Sequence, residues 1–302
     1  MCHCAALLGK DGMMTDRYIL DKSVRINDAV RASYNELTAK TFGFTFEEWY
    51  RQGFWTDKNV PYALRDGTKV ISNVSVNPID ILWNGEMRRY VQLGTVMTDP
   101  EYRGRGLARI LISEILKDWR DRCDAMFLFA NDSVLDFYPR FGFIRESTYQ
   151  FRRPVIPNPG GMRRLNMECG ADRELLRSCY LKSNPFSQLT VVNNFELLMF
   201  YSISFMKNCI FYLKKFDAVI IAEYEDTVMT CYDIFCDPHQ ELDAILFASA
   251  KEDTAFADLG FSPVSVGTCV PTEEKGDTLF LLKGKENIWK GRQLTFPHLF
   301  HT

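Results

Sequence analysis

The sequence predicts an α/β (α+β) protein of two successive domains. Three observations predict it. The chain has 302 residues, more than the ~100–150 residues usual for one domain. Strand-like and helical segments alternate along it, with a strong hairpin signal near the middle of the first half. A pattern of apolar run, turn and closing Gly-Phe then recurs in the second half.

The elements follow in order. "RYILD" reads as a strand, and apolar residues at helical spacing predict a helix over about Arg25–Lys40. "TFEEWYRQGFW" reads as an aromatic-rich helix, with Thr45 and Glu48 spaced as a capping box. "TKVISNVSVNPIDILWN" turns at Asn84-Gly85 into "EMRRYVQLGTVMT", a hairpin signature. A glycine-rich turn then opens a helix from about Gly104 to Arg120, striped by Leu107, Ile110, Leu111, Ile115, Leu116 and Trp119. "AMFLFAN" suits a buried central strand. "SVLDFYPRF" reads as a helix closed by Gly142, and "FGFIRESTYQFRR" returns as strand. "PVIPNPGGM" is a Pro/Gly-rich break, and the domain boundary is expected there, between residues 155 and 156. Beyond it a helical region is expected over about Arg173–Met206, followed by strands across residues 209–236.

"MFLFANDSVLDFYPRFGF" (126–143) aligns without gaps on "AILFASAKEDTAFADLGF" (244–261), and Asp-Pro follows a strand at both Asp99-Pro100 and Asp237-Pro238. This reads as an internal duplication. In the second copy the arginine-glycine turn and most of its helix are expected to be missing, Ser249 stands opposite Asn131, and Phe256 stands opposite Tyr138.

Composition limits the function. With 46% apolar and 25% charged residues the chain is that of an ordinary globular protein, and a formal net charge of −3 gives no reason to expect nucleic acid or an anionic membrane as partner. No apolar run is long enough to span a bilayer. Nine scattered cysteines without a CxxC pair suit buried thiols in a reducing cytoplasm. Cys2-His3-Cys4 could hold a metal, but no partner motif accompanies it, and residues 1–13 read as a disordered leader.

The chemistry concentrates at "VMTDPEYRGRGLA" (96–108). A helix start exposes unpaired N–H groups and a positive dipole end, which together attract an anion. Gly104 and Gly106 let the backbone approach closely, while Arg103 and Arg105 add donors. Alone, the segment reads more simply as a structural turn with two solvated arginines. It is not a P-loop, for no lysine follows, nor a dinucleotide fingerprint, since Arg109 occupies the third glycine position.

The pattern [RQ]xxGx[GA], carried by Arg103, Gly106 and Ala108, is followed by Asn131, Phe137-Tyr138 and Gly142-Phe143. In this order and spacing the residues closely resemble the GNAT superfamily of acetyl-CoA-dependent N-acetyltransferases, over about residues 14–155. The resemblance implies the GNAT fold, a mixed, largely antiparallel central sheet flanked by helices, with a second, degenerate GNAT-like α/β domain over 156–302. It implies that Arg103, Gly104, Arg105, Gly106, Leu107 and Ala108 hold the pyrophosphate of acetyl-CoA. Val96, Met97 and Thr98 would pair with its pantetheine arm as an added strand, and a backbone N–H near Val96 or Met97 would meet the oxyanion. Tyr138 would protonate the leaving thiolate, and Asn131 would bond coenzyme A or the splayed strand. An amphipathic-helix tyrosine and a plain Asn-Asp turn are the structural readings of these two. No metal is implied. The first domain is also similar to acetyltransferases of the enhanced-intracellular-survival type. Those chains are longer, so a mechanism using their third domain's terminal carboxylate is not carried over.

The implied activity is acetyl transfer to a primary amine, of a small molecule or peptide, by direct attack in a ternary complex. A non-catalytic acyl-CoA-binding or interaction module is the alternative, and homo-oligomerisation is left open. Glu47, Glu48 and Asp80 are the carboxylates considered as general base, each with a solvated alternative. Trp49, Tyr50, Phe54 and Trp55 suggest an acceptor wall or, equally, core packing.

Overall fold

The computed structural model describes residues 18–302, so the expected leader and Cys2-His3-Cys4 lie outside the described residues. The chain forms two compact units. One takes the chain up to Pro78, Val91–Met126 and Thr302; the other takes Ile79–Tyr90 and Phe127–His301. The division falls within strands β3, β4 and β5.

The first unit opens with β1 (Ile19–Asp21), α1 (Asp28–Phe42), the short α2 (Glu47–Arg51) and β2 (Val60–Asp66). It continues with β3 (Lys69–Trp83), β4 (Glu86–Thr98), α3 (Leu107–Trp119) and the start of β5 (Ala125–Ala130). β1 pairs antiparallel with β2, and β2 with β3, in a register running from Val60↔Val76 to Asp66↔Lys69. Asn27 caps α1 through its side chain, and left-handed Gly43 ends it. The capping box expected at Thr45 does not form: the helix starts at Glu47, and the Asn35 side chain accepts from the Phe46 N–H at 2.9 Å. The buried face of α3 consists of Leu107, Leu111, Ile112 and Ile115, so Ile112 replaces Ile110, Leu116 and Trp119 of the expected stripe in the core. The Trp119 indole instead donates to the Tyr62 hydroxyl at 2.9 Å, which donates to Asp118 at 2.7 Å.

The second unit contains β6 (Phe143–Glu146), β7 (Tyr149–Pro154), β8 (Arg163–Arg164), α4 (Gly170–Tyr180), β9 (Leu189–Val192) and α5 (Phe195–Ile203). Then come β10 (Ile210–Leu213), β11 (Ala218–Glu225), β12 (Val228–Phe235), α6 (Leu242–Ser249), β13 (Phe256–Leu259), β14 (Val270–Glu273) and β15 (Thr278–Leu282). Asn84 and Gly85 both have positive φ, 50° and 77°, as the tight turn between β3 and β4 requires. β15 inserts antiparallel between β5 and β6, with Leu281 opposite Phe127 and Leu282 near Phe143. β9 pairs with the end of β3. A further sheet runs β14-β7-β13-β12-β11-β10-β8, antiparallel except for β12 and β13. β6 and β7 thus belong to different sheets.

Three further sequence expectations need correction. "SVLDFYPRF" is two 3₁₀ turns, Asp132–Val134 and Tyr138–Phe141, because Pro139 cannot donate and Gly142 ends the segment in left-handed geometry. The region from Arg173 to Met206 is two helices separated by β9. "AILFAS", expected as a strand, is helix α6. A short apolar run cannot be assigned by periodicity alone. The order β12–α6–β13 repeats the strand–helix–strand order of β4–α3–β5, with a helix of 8 residues in place of 13. Ser249 ends a helix and Phe256 begins a strand, so neither is the positional equivalent of Asn131 or Tyr138.

Candidate functional site

β4 leads into the turn through Asp99, whose carboxylate accepts from the Glu101 N–H at 3.0 Å and caps the short 3₁₀ turn Pro100–Tyr102. Arg103 follows in extended geometry, and Gly104 and Gly106 adopt φ of 75° and 73°. That left-handed region disfavours any side chain. An added Cβ at either glycine meets nothing within 4 Å, so the surface in front of the turn is open. Gly106 is the N-cap of α3 and offers no side-chain cap. The first N–H groups of the helix therefore keep their capacity to bind an anion. Leu107 anchors the helix start in the core, while Arg103, Gly104, Arg105 and Gly106 are exposed and Ala108 is half-buried.

The two arginines differ. Arg105 donates to the Tyr18 hydroxyl at 3.0 Å and the Glu101 carbonyl at 2.9 Å and lies 4.7 Å from the Tyr102 ring centre. It staples the turn. Arg103 donates through Nε to the Thr98 carbonyl at 3.3 Å, which ties the turn to β4. Its two terminal nitrogens carry no partner among the described residues.

On β4 itself, Val96 and Thr98 are half-buried and Met97 points into the core, its sulfur 3.7 Å from the Thr38 hydroxyl. Thr95 has φ 47°. For a β-branched residue this conformation costs on the order of 1–3 kcal/mol. β3 supplies a row of buried polar side chains against this stretch. Asn73 donates to the Thr95 carbonyl at 2.9 Å and to Ser75 Oγ at 3.0 Å, and Ser72 donates to the Met97 carbonyl at 3.1 Å. Asn77 donates to the Gln92 carbonyl at 3.2 Å and to the Thr302 hydroxyl at 3.0 Å. The Tyr34 hydroxyl lies 3.3 Å from Ser75 Oγ. Asn73, Ser75, Asn77, Tyr34 and Thr95 were not singled out from sequence. The available signal was the run of polar residues in "SNVSVN", which burial on both faces of β3 makes unusual.

In the second unit Tyr138 is buried against Phe143 and Phe280. Burial pushes its phenol up to about 12, and its hydroxyl makes no hydrogen bond among the described residues. It therefore stays protonated at working pH with a proton to give. Asn131 is exposed and accepts from the Ser133 N–H at 3.1 Å and from its hydroxyl at 2.5 Å, which realises the turn reading of that residue.

The carboxylates considered as base are engaged. Glu47 accepts from Asn35 at 3.0 Å and pairs with Arg31 at 3.2 Å and Arg51 at 3.4 Å. Glu48 accepts from Gln52 at 2.8 Å, and Asp80 pairs with Arg89 at 3.1 Å. Trp49 and Trp55 stack 6.0 Å apart and are buried. They are core, whereas Tyr50 and Phe54 are half-buried.

Residues 22–145 match the model of the acetyltransferase (GNAT) domain. The uncharacterized N-acetyltransferase YhbS of Escherichia coli K12 is 36% identical over 81 residues, 27% of this chain and 46% of that protein. The chain thus spans about half the length of the curated relatives it matches. A probable N-acyltransferase of Enterococcus faecalis V583 has a TM-score of 0.58 at 14% identity, over 88% of this chain and 73% of that one. A GCN5-related N-acetyltransferase of Kribbella flavida gives 0.54 at 17%, over 87% and 70%. Eis1 of Mycobacterium abscessus gives 0.52 at 12%, over 87% and 73%. At these identities the likeness is one of fold, and it is the fold expected from the sequence. No helix of the described residues is long and apolar enough to cross a membrane.

Proposed function

We propose that the protein is an N-acetyltransferase that moves an acetyl group from acetyl-CoA to a primary amine of a small molecule or peptide. The observation that carries this reading is the open, uncapped start of α3, preceded by two left-handed glycines and directly following β4. Backbone N–H groups of residues 103–108 would hold the pyrophosphate, joined by the unspent terminal nitrogens of Arg103. The half-buried stretch Val96–Thr98 would pair with the pantetheine arm.

The acyl-CoA supplies a thioester carbonyl open to attack by a neutral amine. A new C–N bond forms, the C–S bond breaks, and the amine's spare proton passes to water. Backbone amides at Val96 or Met97 would stabilise the oxyanion. Tyr138 would donate its phenolic proton to the leaving sulfur and regain one from solvent. The engaged state of Glu47, Glu48 and Asp80 favours a mechanism without a dedicated carboxylate base.

The reading is tested by thiol release from acetyl-CoA across a panel of amines: amino acids, peptide N-termini, polyamines and amino sugars. Amine-dependent release supports an enzyme. Tight acetyl-CoA binding without release under any amine would make the protein a binding module.

A further inference from the structure

Two unfavourable features meet at one place in the first unit. Thr95, a β-branched residue, is held at φ 47°. Asn73, fully buried on the neighbouring strand, leaves its Oδ1 without any hydrogen-bond partner among the described residues. One hydrogen bond joins the two, from Asn73 Nδ2 to the Thr95 carbonyl at 2.9 Å. That bond fixes which way the amide faces, because the reverse orientation would set Oδ1 against a carbonyl oxygen. Ser75 Oγ, 3.0 Å from Nδ2, braces the same group, and the buried Tyr34 hydroxyl stands behind Ser75 at 3.3 Å. Unsatisfied buried acceptors and left-handed β-branched residues are both rare in native proteins. Their coincidence across a single hydrogen bond marks a conformation that the surrounding structure enforces rather than one the backbone prefers.

We propose that Asn73 is a positioning residue: it clamps the left-handed turn of β4 at Thr95 and so sets the direction of the backbone amides that follow at Val96 and Met97. This inference rests on the acetyltransferase reading, in which those amides face the oxyanion. Asn73 need not touch the substrate. Its effect is on how well the amides are aimed when charge develops on the thioester oxygen, so its loss appears in kcat rather than in cofactor binding.

The test uses the full-length protein, acetyl-CoA and the best amine from the thiol-release panel. Asn73→Ala removes the clamp. Asn73→Leu keeps about the size but cannot donate to the Thr95 carbonyl, and it serves if the alanine variant does not fold. The expected result for each is a fall in kcat of about 10- to 100-fold, less than the ~10²–10³ lost when an oxyanion donor is removed outright because the amides remain and are only misaimed, with acetyl-CoA affinity within about twofold of wild type by calorimetry. In an Asn73→Ala/Thr95→Gly double variant, glycine adopts positive φ without a clamp, and kcat should recover in part. Unchanged kcat in both single variants overturns the proposal. So does a loss of acetyl-CoA affinity that matches the loss of kcat, since that is the outcome of a merely structural role. A wild-type protein that releases no thiol with any amine overturns the transferase reading and this proposal with it, and is distinguished from the other failures by appearing before any substitution is made.

Discussion

The Lys69 ammonium lies 3.2 Å from the Asp99 carboxylate, at the point where β4 gives way to the turn that opens α3. Lys40 approaches the same carboxylate at 3.7 Å. Burial alone would raise the Asp99 pKa; the Glu101 N–H and the two lysines outweigh burial and hold it below its ordinary value. A carboxylate depressed in the folded state contributes stability above its unfolded pKa of about 3.9, and that contribution is lost as pH falls through the folded value. Asp99→Ala should cost roughly 1–2 kcal/mol at pH 7, as loss of a capping carboxylate does. Urea unfolding at pH 7 and near pH 3 checks this. The gap between wild type and variant should shrink in acid, and a gap that is the same at both would refute the assignment.

Tyr138→Phe keeps the ring between Phe143 and Phe280 and removes only an unpaired hydroxyl. Turnover should fall by about 10²-fold, a typical contribution of a general acid, while acetyl-CoA affinity stays near wild type. Because the phenol is held near 12, the wild-type rate should show no loss through pH 10 from its ionisation. A rate unchanged by the substitution would remove Tyr138 from the mechanism.

Gly94 is required for a close approach: a Cβ there would lie 2.5 Å from the Thr302 backbone oxygen. Gly94→Ala should displace residue 302, break its contact with Asn77 and cost about 1–3 kcal/mol, the range for forced overpacking. Thermal melting measures the cost, and hydrogen exchange over the last residues reads the displacement. A variant as stable as wild type, with unchanged exchange there, would contradict this packing.

Local signals made much of this legible in the sequence. Asn84-Gly85 is a hairpin turn because both residues tolerate positive φ, and the arginine-glycine segment announces a strand-to-helix junction. "AMFLFA" is largely buried, as expected of a central strand. The pairing partners were not legible. β15 reaches β5 and β6 from more than a hundred residues away, and such pairing leaves no trace in local periodicity. "AILFAS" misled because five consecutive apolar residues satisfy strand and helix alike. Asn73 escaped notice for a different reason. A polar residue in a strand reads as solvent-facing, and only the fold reveals that both faces of β3 are covered there.

The central claim is that the start of α3 holds the pyrophosphate of coenzyme A, and calorimetry of acetyl-CoA binding to Gly106→Glu tests it most directly. Nothing lies within 4 Å of a Cβ added at Gly106, so the new side chain starts into open space and its main folding cost is the positive φ. The carboxylate would stand where the diphosphate is proposed to sit. Binding should weaken by about 100-fold or more, with the variant still folded by circular dichroism. A folded Gly106→Glu protein that binds acetyl-CoA as tightly as wild type would contradict the account.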